Sequence, residues 1–428
     1  MKRNNRTNSG FRIQNVEFRV LIFLSFCLLT QAKAQVYSLD SVLSVISHNN
    51  PMLQEYDSKV KALKTYSEGA KSQMAPMVGV GTFMTPYPGQ KVMESRDKGY
   101  WMISAEQSLT NPAKLNANRN YLSSRADVEE KGRAYQFNAL RAEAKSYYYQ
   151  WLVQEKKMNV LKENEQIIEL MLKLARIRHP YNQGSLGNIY KTEGRLHEVQ
   201  NMIFMTHAEM DEKQYRLKAL MNLTPDATIR IDTAMEVTYA PNAAASDTTA
   251  LSDQRSDIQQ INKTIEVMRL NQQLQNVQSK PDFKIRYDHM GPLGQGMPQQ
   301  FTLMGMISIP IAPWASKMYK SEVKGMSYEI EAMKKNREAI LIETRGMLGG
   351  MAAQLSKMQQ QLTNYETKII PALKRNYETL MLAYEENREQ LPMVMDGWEA
   401  MNMAQLQYLE KMEEFYLMIV RYEKEIER

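Results

Sequence analysis

Methionine is the residue type whose frequency and spacing suggest chemistry in this sequence. The chain contains 32 methionines among 428 residues, and the thioether is a soft ligand that suits Cu(I) and Ag(I). Met393 and Met395 are therefore predicted as candidate ligands of a soft metal ion. Packing between helices, a common use of methionine, remains the alternative. The methionines that lie close together near the carboxyl end or on a strand pattern are Met393, Met395, Met401, Met403, Met304 and Met306.

Catalytic patterns are absent from the sequence. It contains no nucleophile elbow, no phosphate-binding loop and no pair of histidines at metalloprotease spacing. The five histidines are scattered along the chain, and the one cysteine excludes motifs that need several cysteine ligands. We therefore expect a protein that is not an enzyme and that has no cofactor.

The first 34 residues have the pattern of a secretion signal. A basic start is followed by an apolar run at 20–29 and by the small-x-small sequence Ala32-Lys33-Ala34. The net charge of the chain is +6, but this segment holds six basic residues and one acidic residue, which leaves +1 for the remainder. Phe26 precedes Cys27, where a lipidation site needs a small residue. We therefore expect an exported chain with no lipid anchor and no nucleic-acid partner.

An internal repeat divides the rest of the chain. When Pro76 is placed over Pro281, both halves show a helix, two strands, a long helix, a turn and a further helix. A stretch rich in proline and small polar residues separates the halves. The predicted organisation is a signal peptide at 1–34, a first repeat at 35–224, a linker at 225–253 and a second repeat at 254–428.

Four segments alternate between apolar and polar residues, at 77–84, 100–109, 283–288 and 301–309. Outer-membrane barrel strands have about this length, and their alternate residues face lipid and lumen. Four strands cannot close a barrel, because the smallest have eight, so a barrel requires several chains, and three would supply twelve strands. A soluble sheet with one face on helices is the alternative. The residues predicted to face a barrel lumen are Glu106, Lys284, Arg286, Asp288, Met304 and Met306.

Two helical patterns are too long to fold around cores of their own. Residues 113–178 contain no proline, and in 315–384 only Pro371 interrupts the pattern. A helix of about 65 residues is roughly 100 Å long, and it must lie against other helices in a coiled-coil-like array. The predicted fold class is therefore mainly α-helical with a transmembrane β-barrel contribution. Each protomer supplies long antiparallel helices and four strands.

The order and duplication of several short motifs make the sequence similar to the TolC-like outer-membrane efflux family, whose copper–silver branch is one option. The resemblance covers nearly all of the chain after the signal segment. The motifs are Asn49-Asn50-Pro51-Met52-Leu53, Arg255-Ser256-Asp257-Ile258, Pro76, Pro281, Ser308-Ile309-Pro310-Ile311 and Tyr181-Asn182-Gln183-Gly184.

The resemblance implies a homotrimer with a twelve-stranded barrel among outer-membrane lipids and a helical tunnel that crosses the periplasm. Its partners would be an inner-membrane pump of the RND type and a periplasmic adaptor. Asp396 is the gating acid carried over from the family, and Met393 stands where the family can have a second acid. Gly184 and Asn387, in the two helical turns, are the implied positions for adaptor docking.

Three functions remain open at this point. The first is an efflux channel for small solutes, with soft metal cations as cargo. The second is the same channel with drugs, amphiphiles or secreted peptides as cargo. The third is a periplasmic coiled-coil scaffold without a pore, against which the alternating strands argue.

Overall fold

The computed structural model of the chain describes residues 35–181, 184–239 and 247–428. The predicted signal segment, two residues of the first turn and part of the predicted linker lie outside the described residues. The helices are α1 (Leu39–Asn49), α2 (Pro51–Gly69), α3 (Pro112–Arg178), α4 (Leu186–Leu220), α5 (Thr248–Gln254), α6 (Ser256–Asn276), α7 (Pro313–Asn364), α8 (Ile370–Glu385) and α9 (Leu391–Glu425). The strands are β1 (Gln35–Tyr37), β2 (Met77–Phe83), β3 (Tyr100–Leu109), β4 (Ile229–Ile231), β5 (Phe283–Pro292) and β6 (Gln300–Ile307).

The four predicted strands form one antiparallel sheet in the order β2-β3-β5-β6. The strand pair of each half is a hairpin, and the two hairpins are joined through β3 and β5, where Leu109 pairs with Phe283 and Tyr100 with Pro292. Strand β5 extends beyond the predicted segment. The sequence does not reveal the short parallel pair of β1 and β4, because three residues are too few to show alternation.

The long helices begin and end at recognisable signals. Asn111 caps α3 by accepting a hydrogen bond from the backbone N–H of Ala113 at 3.0 Å, and Pro112 occupies the first helical position. The 67 residues of α3 correspond to about 100 Å. The second long pattern is two helices, α7 and α8, separated by a π-helical turn at Tyr365–Ile369. This turn lies directly before Pro371, which cannot donate a backbone hydrogen bond.

Helix α3 is the central element, because α4 and α9 both pack along it. One hydrophobic cluster surrounds Tyr148 and Leu152, and a second surrounds Ile168 nearer the turns. In the second cluster, Trp398 of α9 donates its indole N–H to Asn164 Oδ1 of α3 at 2.6 Å. This buried bond fixes the register between the two helices.

The predicted fold class is confirmed at the level of the chain: long antiparallel helices carry a four-stranded antiparallel sheet. The boundaries of the two repeats and of the linker between them stay a prediction. The sheet lies at one end of the helices, and the two helix-connecting turns lie at the other end of α3 and α9.

Candidate functional site

Arg178 joins the two helix-connecting turns at one end of the molecule. This last residue of α3 donates from Nη1 to the carbonyl of Tyr384 at 2.6 Å and from Nη2 to the carbonyl of Glu385 at 3.0 Å. Its guanidinium also lies 4.2 Å from the centre of the Tyr384 ring, a cation–π geometry. The tips of the two helical hairpins are therefore held to each other by one side chain.

The two residues implied for adaptor docking both lie exposed in these turns. Apart from its chain neighbours, no atom of the described residues lies within 4 Å of the position that a Cβ on Gly184 would occupy, and the Gly184 carbonyl is 3.0 Å from His179 Nδ1. Asn387 has a left-handed backbone with φ of 60°, which asparagine tolerates better than most residues. Its N–H donates to the Tyr384 carbonyl at 3.0 Å. Their role in docking stays a prediction.

Asp396 and Met393 lie three residues apart on α9 and therefore share a face of the helix. The Asp396 side chain is 63% exposed and its Oδ1 lies 3.9 Å from Lys191 Nζ of α4. Met393 is 48% exposed. The structure thus brings together an accessible carboxylate and an accessible thioether just above the second turn.

Met395 does not belong to this accessible group. It is 2% exposed within the cluster near the turns, and its sulfur accepts a hydrogen bond from Thr192 Oγ1 at 3.2 Å. Residues two apart on a helix point about 200° apart, so the thioethers of Met393 and Met395 leave α9 on different sides. The role of the two methionines as metal ligands stays a prediction.

The predicted lumen residues share one face of the sheet. In the register of the sheet, Glu106 pairs with Arg286, which pairs with Met304, and Lys284 pairs with Met306. Lys284 forms an ion pair with Glu106, and Arg286 Nε lies 2.9 Å from Asp288 Oδ1. Which side of a closed barrel this polar face would line stays a prediction.

The opposite face of the sheet is apolar and exposed. Leu303 is 67% exposed and its neighbour on β5, Tyr287, is 43% exposed. Such a continuous apolar surface is unusual on a soluble monomer and marks contact with lipid or another chain. The residues of this face include Val78, Val80, Trp101, Ile103, Phe283, Ile285, Tyr287, Phe301, Leu303 and Ile307.

The described residues lack two features that bear on metal binding and on helical membrane insertion. They contain no group of three or more histidine, cysteine, aspartate or glutamate side chains placed to hold a metal ion. None of the helices in the described ranges combines the length and the apolar character needed to cross a membrane.

Comparison with known proteins identifies similar folds among solved structures. The outer-membrane channel OprN has a TM-score of 0.71 and 12% sequence identity, over 91% of this chain and 89% of that one. The transmembrane channel CusC has a TM-score of 0.70 and 11% identity, over 91% of each chain. The open state of the MtrE outer-membrane channel of Neisseria gonorrhoeae has a TM-score of 0.72 and 12% identity, over 91% and 88%. No protein-family model and no curated protein sequence matches this chain.

The structure therefore has the fold of these outer-membrane channels. The resemblance to the TolC-like efflux family is confirmed at the level of the fold. Because the identities are 10–13%, the likeness identifies the fold alone.

Arg178 is the part of the site that the sequence interpretation missed. One signal in the sequence was available. Arg178 is the last residue of α3 and shares the last turn with Arg176, and cations are favourable at the carboxyl end of a helix. The carbonyls that Arg178 contacts lie more than 200 residues away in sequence, so a local sequence pattern does not predict the contact.

Proposed function

We propose that the protein is the outer-membrane channel of a tripartite efflux system. The observation that carries the proposal is the sheet, which has one charged face and one exposed apolar face. In a membrane barrel, the charged face would contact water in the lumen and the apolar face would contact lipid. The helices, of which α3 is about 100 Å long, would extend from this membrane part into the periplasm and enclose a passage for solutes.

We propose a homotrimer, which agrees with the number of strands. One chain supplies four strands to the sheet, fewer than any known barrel, and three chains would supply twelve. Helix α7 supports the same assembly, because only five of its 52 residues are buried in the protomer. Apolar side chains such as Met318, Tyr328 and Ile342 stay exposed along it, and a neighbouring protomer would cover them.

The proposed partners are an inner-membrane pump, which we take to be of the RND type, and a periplasmic adaptor. The turns that contain Gly184 and Asn387 are exposed at the end farthest from the sheet, as docking requires. In this proposal, the helices near Arg178 move apart when the partners bind, and a ring of three Asp396 carboxylates lines the narrow opening.

The test of this function is location, assembly and conductance together. We expect the full chain to fractionate with the outer membrane, to migrate as a heat-modifiable trimer, and to produce discrete current steps in planar lipid bilayers. A soluble periplasmic monomer without conductance would contradict the channel and support the scaffold hypothesis.

For the cargo, we propose soft metal cations such as Cu(I) and Ag(I), and the accessible Met393 supports this choice. Because Met395 is buried, one thioether per protomer, and three in a trimer, remain at the opening. Drugs, amphiphiles or peptides are the competing cargo.

Two substitutions separate the contributions of charge and thioether at the opening. Asp396→Asn is expected to lower the cation-over-anion permeability ratio by roughly two- to fivefold, because the carboxylate ring attracts cations. Reversal potentials in a salt gradient measure this ratio.

Met393→Ala is expected to leave the ratio unchanged but to lower copper and silver tolerance of cells. An equal loss of metal and drug tolerance in Met393→Ala would instead indicate a structural role.

A further inference from the structure

Three exposed lysines follow one another along the first turns of α7, directly after the sheet. Lys317, Lys320 and Lys324 are spaced three and four residues apart, so their side chains share one face of the helix. Together with Ile311 and Ser321 they line a shallow groove of about 510 Å³. We call these three residues the lysine stripe. It lies at the opposite end of the molecule from the proposed opening.

No carboxylate on α7 neutralises the lysine stripe. Its members have no ion-pair or hydrogen-bond partner among the described residues, and no acidic residue lies three or four positions from any of them. The nearest carboxylate in sequence is that of Glu322, two residues from Lys320 and from Lys324. Residues two apart on a helix point about 200° apart, so Glu322 lies on the other side of α7.

The neighbouring helix supplies no negative charge at this level either. Helix α6 packs against this part of α7 through Gln272, which donates from Nε2 to the Val323 carbonyl at 3.0 Å and to Ser327 Oγ at 2.9 Å. The segment 270–279, at this end of α6, contains no charged residue, and the exposed Lys280 follows it. The lysine stripe therefore presents three positive charges on one surface.

The position of α5 indicates which side of the proposed channel this surface faces. Continuing the stripe by steps of seven residues, which stay on one side of a helix, leads to Glu331 and Lys334. These two residues line a groove together with Thr248 of α5. Helix α5 packs against both α6 and α7, so it covers one side of the layer that they form. Because a helix on the inner side would obstruct a passage, α5 and the lysine stripe face outward in the proposed channel.

The lysine stripe begins where the apolar surface of the sheet ends. Ile309, Ile311 and Trp314 follow β6 and are 68%, 67% and 83% exposed, and tryptophan is enriched at the boundary between membrane and water. The first and last lysines of the stripe lie about 6 Å and 17 Å along α7 from its first residue. A lysine can extend its ammonium toward the headgroups while its aliphatic stem covers apolar surface.

We propose that the lysine stripe binds the phosphate groups of anionic phospholipids in the leaflet nearest the long helices. The inference rests on the proposed function and adds a lipid preference to it. The ammonium groups attract phosphate over a screening length of about 8–10 Å, and the apolar residues before them contact the acyl chains. A trimer would carry nine such lysines around its outer surface, which fixes the depth of the barrel in the membrane.

The experiment is electron spin resonance of the full-length protein in phosphatidylcholine bilayers that contain a trace of spin-labelled lipid. The fraction of labelled lipid whose motion the protein restricts gives the association constant of that lipid relative to phosphatidylcholine. We expect phosphatidylglycerol, which is anionic, to associate about threefold more strongly than phosphatidylcholine. In 1 M NaCl, where the screening length is about 3 Å, the two lipids should associate almost equally.

Neutralising the lysine stripe is expected to remove most of this preference. The variant with all three lysines changed should associate with phosphatidylglycerol only about 1.5-fold more strongly than with phosphatidylcholine. Because the three side chains are exposed, the fold should be retained. Changing the same lysines to arginine keeps the charge and should keep the preference. The neutral variant carries Lys317→Gln, Lys320→Gln and Lys324→Gln.

The matched control removes the same charge from the other end of the molecule. It carries Lys162→Gln, Lys173→Gln and Lys374→Gln, at exposed lysines that likewise form no ion pair among the described residues. Lys162 lies about 75 Å along α3 from Pro112, beyond the reach of the membrane surface. The lipid preference of this control should equal that of the parent protein.

The outcomes separate this inference from the channel proposal. If the parent protein forms conducting trimers but associates equally with the two lipids, the lipid site alone is wrong. It is also wrong if the neutral variant keeps the full preference, or if the control loses as much of it. A parent protein that does not enter bilayers would overturn the channel proposal and the lipid site together.

Discussion

Arg178→Ala is expected to open the helical end of the proposed channel. The substitution removes two hydrogen bonds from a guanidinium to backbone carbonyls and a cation–π contact with Tyr384. A hydrogen bond to a charged group contributes about 1.5–3 kcal/mol. If about 3 kcal/mol of the total favours the closed arrangement, its loss raises the ratio of open to closed states by roughly 150-fold. A channel that is closed most of the time would then be open for a large fraction of it.

The measurement is single-channel recording of the purified protein, together with sensitivity of cells to a large antibiotic that the outer membrane normally excludes. Arg176→Ala is the matched control, because Arg176 is two residues earlier on α3 and its Nη2 lies 3.2 Å from a carboxylate oxygen of the exposed Glu193, away from the second turn. We expect control channels to behave like the parent. If both variants conduct like the parent, Arg178 does not hold the closed arrangement.

The sheet is the part of the structure that local pattern predicted best. Alternation of side chains has a period of two, so the positions of Glu106, Arg286 and Met304 on the polar sides of their strands follow once the strands are recognised. The length of α3 follows in the same way from a long stretch without proline. Both features depend on residues that are close together in sequence, so the order of residue types is enough to predict them.

Features that depend on how helices rotate against each other were not predictable. Met393 and Met395 have the same side chain and lie two positions apart, yet one is 48% exposed and the other 2%. The contact between α4 and α9 decides which of them is buried, through Thr192. The same holds for the burial of Gln154 and Asn402, which are 7% and 8% exposed, since a polar residue in a helix is ordinarily expected to be solvent-exposed.

The largest expected effect on assembly comes from a charge placed on the apolar face of the sheet. Leu303→Arg would put a guanidinium where the proposed barrel meets lipid, beside Tyr287. Such a substitution costs about 2–4 kcal/mol near the middle of a bilayer, and a trimer would carry it three times. We expect little heat-modifiable trimer in the outer-membrane fraction and accumulation of the unassembled chain.

Thr302→Arg is the control that makes this result specific to one face. Thr302 is the preceding residue on β6 but pairs with Asp288 on the polar face, so an arginine there would meet a carboxylate and water. Its trimer should form in nearly parental amounts, with altered ion selectivity because the new charge lines the passage. If Thr302→Arg abolishes assembly while Leu303→Arg inserts normally, the two faces have been assigned the wrong way round. The charged residues Lys284, Arg286 and Glu106 would then lie outside the lumen, and the channel proposal would fail with them.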